Sequence, residues 1–315
     1  MNILVVGGAG YVGGAVTDIL AACGVHEVRV YDSLVYEESY RKPVGFVYGD
    51  VRDMDRLLPQ LQWADAVAWL AARVGDMACA LDPAASVAVN QEAVQVLANS
   101  FHGRVVFLST CSVYGAQRDE LDEAAPTNPL SIYAATKLAA EKHLAGSNAL
   151  VFRLGTLFGV GDLFSRIRLD LVVNTMTVKA HFKRRLSVFG GEQYRPLLHV
   201  RDAARAVVDG IFSKRVGVYN LQKENLRMAD LAEVVRLCYP DLQIERGAES
   251  SEDQRNYRVS SARAIAELRF APSWSVAEGV KQVHDLLVSE RLRDVNAPRY
   301  WNSRYLAAHG EEAML

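Results

Sequence analysis

In Tyr133-Ala134-Ala135-Thr136-Lys137 a phenol and an ammonium lie four residues apart, which places both on one face if the segment is helical. A nearby cation stabilises phenolate and draws a tyrosine pKa down from ~10 toward working pH, as a proton-abstracting base requires. A tyrosine packed over a lysine stem gives the same spacing with no chemistry. A hydroxyl-rich cluster, Ser109-Thr110-Cys111-Ser112-Val113-Tyr114-Gly115, lies upstream, and Gly7-Gly8-Ala9-Gly10-Tyr11-Val12-Gly13 lies near the N-terminus. Glycines at 7, 10 and 13 permit a tight turn, let the backbone approach a pyrophosphate and allow a helix to pack close to its strand. Asp32 follows about 20 residues on, where a carboxylate binds an adenosine ribose and repels a 2′-phosphate, so NAD is favoured over NADP. The alternative is a structural glycine turn with a surface Asp. Asp50 and Val51, in Gly49-Asp50-Val51-Arg52-Asp53, suit contact with an adenine amino group, and helix capping by Asp50 or Asp53 explains the same residues.

These groups need a frame, and the first half of the chain supplies one. Short apolar runs at Asn2–Val6, Glu27–Tyr31, Val44–Tyr48, Ala64–Leu70, Arg104–Ser109 and Ala149–Leu154 read as strands. Between them, helical spacing fits Tyr11–Cys23, Met54–Gln60, Ala84–Ser100 and Leu130–Leu144, the last opening just after Pro129. Alternating βα units with near-continuous apolar strands imply an α/β fold with a doubly wound parallel sheet, the Rossmann arrangement. The glycine turn, Asp32, Asp50 and Thr110 then all fall at strand ends, where such a sheet binds its ligand. Beyond Gly155 the alternation loosens, through Asp170–His181, Leu186–Phe189, Asp202–Ile211, Val218–Leu221, Met228–Cys238 and Val276–Val288. Phe158–Asp170 reads as a boundary and the remainder as a smaller C-terminal α/β substrate lobe. The aromatic tail Arg299–Tyr305 reads as simple packing.

Composition excludes several classes. The chain has 315 residues, 50% hydrophobic and 23% charged, with a net charge of −2, so neither a nucleic-acid-binding surface nor an anionic-membrane surface is implied. Its longest apolar runs fall far short of the ~20 residues of a membrane span, and no targeting segment is visible. Four scattered cysteines, Cys23, Cys79, Cys111 and Cys238, have neither zinc nor redox spacing and imply a reducing, cytoplasmic compartment. None of the seven histidines forms a metal-ligand spacing, and His199, within an apolar run, reads as a core histidine.

Taken in order, GGAGYVG at Gly7, GD at Gly49, LAA at Leu70, STCSVYG at Ser109, YAATK at Tyr133, RLGTLFG at Arg153 and RPLLHVRD at Arg195 resemble the extended short-chain dehydrogenase/reductase family, specifically its nucleotide-sugar epimerases and dehydratases. The resemblance spans about two thirds of the chain. It implies catalytic roles for Thr110, Tyr133 and Lys137, and an NAD site built from Gly7, Gly10, Tyr11, Val12, Gly13, Asp32, Asp50, Val51, Leu70, Ala71 and Ala72 with Tyr133 and Lys137. For the nucleotide-diphosphate sugar it implies Thr110, Ser112 and Arg195, the last holding the diphosphate, with Arg255 or Arg258 as a second phosphate contact and Asn174 facing the substrate. Asn90 takes the structural role of an Asn found on this helix in many relatives. Thr156 stands where relatives often carry an Asn. Where the 4,6-dehydratases have an acid two residues before the motif tyrosine, this chain has Ser112, and Cys111 beside it reads as an inert buried thiol.

The expectation is an NAD-binding Rossmann domain over 1–165 and a nucleotide-sugar lobe over 166–315, with part of 195–212 returning to the first. The leading function is an NAD-dependent nucleotide-sugar epimerase acting at C4 through a transient 4-keto sugar. A nucleotide-linked keto-sugar reductase or dehydrogenase, and a non-catalytic NAD-sensing protein, are the alternatives. The resemblance also implies a homodimer paired through Ala84–Ser100 and Leu130–Leu144.

Overall fold

The computed structural model describes residues 1–162, 164, 166–247 and 256–310. Seven parallel strands form the main sheet in the order Gly217–Leu221, Ala149–Leu154, Arg104–Thr110, Ala66–Trp69, Asn2–Val6, Glu27–Asp32, Gly45–Tyr48. Arg104–Thr110 and Ala149–Leu154 are buried along their whole length, as a sheet covered on both faces demands. Alternate residues feed two cores. Ile3, Val5, Val106 and Phe152 face one layer, and Leu4, Val6, Trp69 and Phe107 face the other. The order reverses between Asn2–Val6 and Ala66–Trp69, so a crevice opens beyond the carboxyl ends of these two strands.

The C-terminal half is interleaved with this sheet. Gly217–Leu221 extends the sheet beside Ala149–Leu154, and the Val200–Phe212 helix covers one face through Ala203, Val207 and Ile211, against Tyr11–Cys23. Tyr194–His199 instead joins Thr156–Phe158 and Glu224–Arg227 in a separate three-stranded sheet. Phe158, Val173, Met176, Leu186, Leu231 and Val280 form the core of the second lobe. His199 lies in the core, fully buried between Gln282 and the Arg201 backbone N–H, and burial holds its pKa down at about 4.

One element differs in kind from the sequence expectation. Ala84–Ser100 is not a single α-helix: a π-helical turn at Ala88–Glu92 separates Pro83–Val87 from Ala93–Ser100. The wide turn carries Asn90, 1% exposed, whose amide accepts from the Arg73 N–H at 2.8 Å, and donates to the Arg73 carbonyl at 3.0 Å and to Thr136 Oγ1 at 3.3 Å. The irregularity thus ties the loop after Ala66–Trp69 to the helix carrying Tyr133.

Candidate active site

A cleft of about 500 Å³ lies over the crevice, and its floor is the glycine turn. A Cβ on Gly13 would stand 2.1 Å from the Gly7 carbonyl oxygen, so the fold itself demands glycine there. Gly10 differs. Its φ is −78°, open to any residue, and an added Cβ would meet only Gly7 O, at 3.4 Å, so its missing side chain leaves room for a visitor at the N-terminus of Tyr11–Cys23. Asp32 closes the turn, its two carboxylate oxygens accepting from the Ala9 N–H at 2.9 Å and the Leu34 N–H at 2.8 Å. Burial raises its pKa against these bonds. A turn with space at a helix N-terminus and a carboxylate at the next strand end fits a dinucleotide.

Asp50, Val51, Leu70, Ala71 and Ala72 line the same cleft, as do Tyr11 and Val12. Within Gly49–Asp53, Asp53 caps Met54–Trp63, accepting from the Arg56 N–H, while the Asp50 carboxylate binds the Arg52 guanidinium. The Tyr11 hydroxyl donates to the Gly159 carbonyl at 2.6 Å and so braces the turn against the second lobe.

Tyr133 and Lys137 lie on Ile132–His143, which Ser131 caps by accepting from the Ala134 N–H, and both line the cleft together with Thr110 and Ser112. Thr110 Oγ1 accepts from the Ser112 N–H at 3.1 Å. The Tyr133 pKa runs against the expectation that a neighbouring cation draws it down: burial raises it, the Cys79 thiol and the Asp76 carboxylate add to the rise, and the Arg168 cation and the Thr110 hydroxyl oppose it. Lys137 is 3% exposed, with Nζ 4.0 Å from the centre of the Phe107 ring, and burial lowers its pKa to about 7 although the Glu141 carboxylate opposes this. Behind Thr110, Glu141 accepts from the Ser109 hydroxyl and pairs with Arg153 at 2.6 Å, and Arg153 donates to the Tyr114 hydroxyl at 2.9 Å. That buried network fixes the end of the strand carrying Thr110. Cys111 is buried with its thiol on the Arg153 carbonyl, and burial raises its pKa.

Arg195 also lines the cleft, 5% exposed, and donates to the Tyr194 carbonyl. Asn174 is a correction. Its side chain is fully buried, accepting from the Gly159 N–H at 3.0 Å and donating to the Arg168 carbonyl at 2.8 Å, so its amide serves the loop backbone and does not face the substrate space. Arg255 lies outside the described residues. Arg258 donates to the Arg118 carbonyl.

Several cleft residues escaped sequence reasoning. Arg166, Arg168, Asp170, Tyr257 and Asn302 all line the space. Arg168 is held by both oxygens of Asp170 at 3.0 Å, and although burial opposes it, that pairing keeps the Asp170 pKa below the usual carboxylate range. Arg166 stacks on the Tyr36 ring at 3.7 Å, and burial lowers its pKa to about 10 with Arg168 adding to the fall. The available signal was Arg166-Ile167-Arg168-Leu169-Asp170, a dense charge pattern inside a loop otherwise read as a boundary.

Comparison with known proteins agrees with this geometry. The chain is 28% identical over 312 residues to a dTDP-glucose 4,6-dehydratase of Streptomyces niveus, covering 89% of this chain and 90% of that one. It is 30% identical over 231 residues to a UDP-glucose 4-epimerase of Streptomyces lividans, covering 64% and 69%. The solved UDP-glucose 4-epimerase of Thermotoga maritima shares the fold, with a TM-score of 0.80 at 22% identity over 92% of this chain and all (100%) of that one. Among the described residues no helix is long and apolar enough to cross a membrane. A family model matches residues 3–220, and the chain belongs to the NAD dependent epimerase/dehydratase family, whose cofactor is NAD.

Proposed function

We propose that this protein is a C4 epimerase of a nucleotide-diphosphate hexose. The observation that carries the reading is at Ser112. Its hydroxyl faces the Tyr257 hydroxyl at 3.3 Å, two neutral groups at the position where dehydrating relatives carry an acid. Expelling water from a 4-keto sugar requires a proton donor beside the leaving hydroxyl, and a serine hydroxyl is a poor one near neutral pH. Epimerisation needs no such group.

In this reading Tyr133 removes the C4 hydroxyl proton as the C4 hydrogen departs as hydride, leaving a 4-keto sugar. Thr110 accepts from the Ser112 N–H and keeps its own proton to hold the reacting oxygen. NAD supplies the hydride acceptor and, once reduced, the donor. The keto sugar turns its other face, hydride returns to C4, and Tyr133 restores the hydroxyl proton, so no net oxidation results. Arg195 holds the diphosphate through its planar fork. Ile132–His143 packs beside the Pro83–Ser100 stretch, and we assign this paired face to a twofold homodimer, for which sedimentation at micromolar concentration should give twice the 34.7 kDa chain mass.

The test is a panel of UDP-, dTDP- and GDP-hexoses with products resolved by NMR, run on the wild type and on Tyr133→Phe. The reading predicts a C4 epimer from the wild type. Tyr133→Phe should keep its fold and NAD binding while losing nearly all turnover. A 4-keto-6-deoxy product would refute the assignment at Ser112, and turnover within a few-fold in Tyr133→Phe would refute that at Tyr133.

A further inference from the structure

The aromatic tail does more than pack. Pro298–Tyr300 and the Asn302–His309 helix lie against three separate loops of the cleft. Arg299 donates to Glu37 at 2.9 Å and the Tyr305 ring packs at a tilt against Tyr36, centres 5.1 Å apart, both partners lying on the loop after Glu27–Asp32. Asn302 Nδ2 donates to the Val74 carbonyl at 2.8 Å, on the loop after Ala66–Trp69. The Asn302 N–H donates to Asp170 at 3.1 Å, its Oδ1 accepts from Arg166, and the Leu169 N–H donates to the Tyr300 carbonyl at 2.9 Å.

Sheet order gives this arrangement its meaning. Ala66–Trp69 and Glu27–Asp32 are the two neighbours of Asn2–Val6, so their following loops flank the glycine turn from opposite sides. A segment fastened to both must cross the crevice between them. Ser303 and Leu306 line the cleft accordingly, and Asn302, 3% exposed, has every polar group of its side chain engaged with loop residues.

We propose that the segment 298–309 is a wall of the dinucleotide site, crossing where the pyrophosphate lies, and that Asn302 is the positioning residue that seats it. The inference rests on NAD as the occupant of the cleft and is indifferent to which sugar is transformed. Its role is retention: an enzyme that returns the hydride it has removed must hold the reduced cofactor between the two half-reactions. Asn302 sets Arg166 and Asp170 at the cleft edge, and Asp170 in turn holds Arg168. Releasing the cofactor then requires parting contacts to all three loops.

The test measures NADH release from substrate-free protein by stopped-flow fluorescence, together with thermal melting, for the wild type, Asn302→Ala and Glu37→Gln. Asn302→Ala should release NADH at least tenfold faster while still melting cooperatively, and its NAD content as purified should fall. Glu37→Gln, which takes away the charge that holds Arg299 while keeping an acceptor for the Arg166 N–H, should release it a few-fold faster and decides the matter if Asn302→Ala does not fold. Release rates within twofold of wild type in folded variants would overturn the proposal. A wild type that binds no NADH would overturn the cofactor assignment as well, a failure distinct from the absence of epimer.

Discussion

Lys137 offers the sharpest separation of stability from activity. Its ammonium is buried over the Phe107 ring, and its pKa falls from 10.5 to about 7 because the charged form is desolvated. At ~1.4 kcal/mol per pH unit, keeping this side chain buried at pH 7 costs about 4 kcal/mol relative to an unperturbed lysine. Lys137→Met keeps the length and apolar stem while forfeiting ~1 kcal/mol of cation–ring attraction. The cofactor-free variant should therefore be ~2–4 kcal/mol more stable than wild type at pH 7 and melt several degrees higher. The pH dependence follows from the direction of the shift. Between about 7 and 10.5 the unfolded chain holds a proton that the folded chain has released, so wild-type stability rises with pH across that window. The advantage of Lys137→Met is then complete below pH 7 and shrinks toward pH 10. Turnover should fall by ~10²–10⁴, because the amine on the Tyr133 face of the helix, which burial sets to exchange a proton near neutral pH, is gone. The assay is urea denaturation of cofactor-stripped protein at pH 6, 7, 8.5 and 10, alongside turnover at pH 8. A variant no more stable than wild type at pH 7, or a gap unchanged at pH 10, would refute the reasoning.

Three further outcomes are expected. Gly10→Ala should leave thermal stability nearly unchanged but weaken NAD binding in calorimetry, whereas Gly13→Ala, with its Cβ 2.1 Å from Gly7 O, should lose several degrees of melting temperature as well. Asp32→Asn keeps an acceptor for only one of the Ala9 and Leu34 N–H groups and loses the charge, so its preference for NAD over NADP should drop by roughly tenfold, about 1.4 kcal/mol, in paired titrations. Glu141→Gln leaves the buried Arg153 guanidinium without its carboxylate and should cost ~3–5 kcal/mol in chemical denaturation.

The sheet was legible because its physics is local. A strand buried on both faces must be apolar throughout, and a turn gripping a pyrophosphate needs glycine, so Asn2–Val6, Tyr11–Cys23 and Ala149–Leu154 can be delimited from residue types alone. Tyr133 and Lys137 were legible because four residues span one helical turn. What stayed hidden depends on contacts distant in sequence. The π-turn at Ala88–Glu92 is set by what Asn90 reaches on Arg73 and Thr136, and Gly217–Leu221 owes its place to the Ala149–Leu154 edge. Asn174 was misplaced because position in a motif does not reveal whether an amide faces ligand or backbone. Arg299–Tyr305 looked like packing because nothing local shows that it crosses a crevice formed some 230 residues earlier, with Asn302 reaching Val74 across 228 positions.

The most direct test of C4 epimerisation is the fate of deuterium placed at C4 of the nucleotide hexose that the panel identifies as substrate. If hydride leaves and returns within one closed cleft, NMR will show the product epimer with the label retained at C4. Absorbance at 340 nm will then show no NADH accumulating during turnover. Label lost from C4 together with a stoichiometric rise in NADH would show net oxidation, and label transferred to C6 of a 4-keto-6-deoxy sugar would show dehydration; either result contradicts the account.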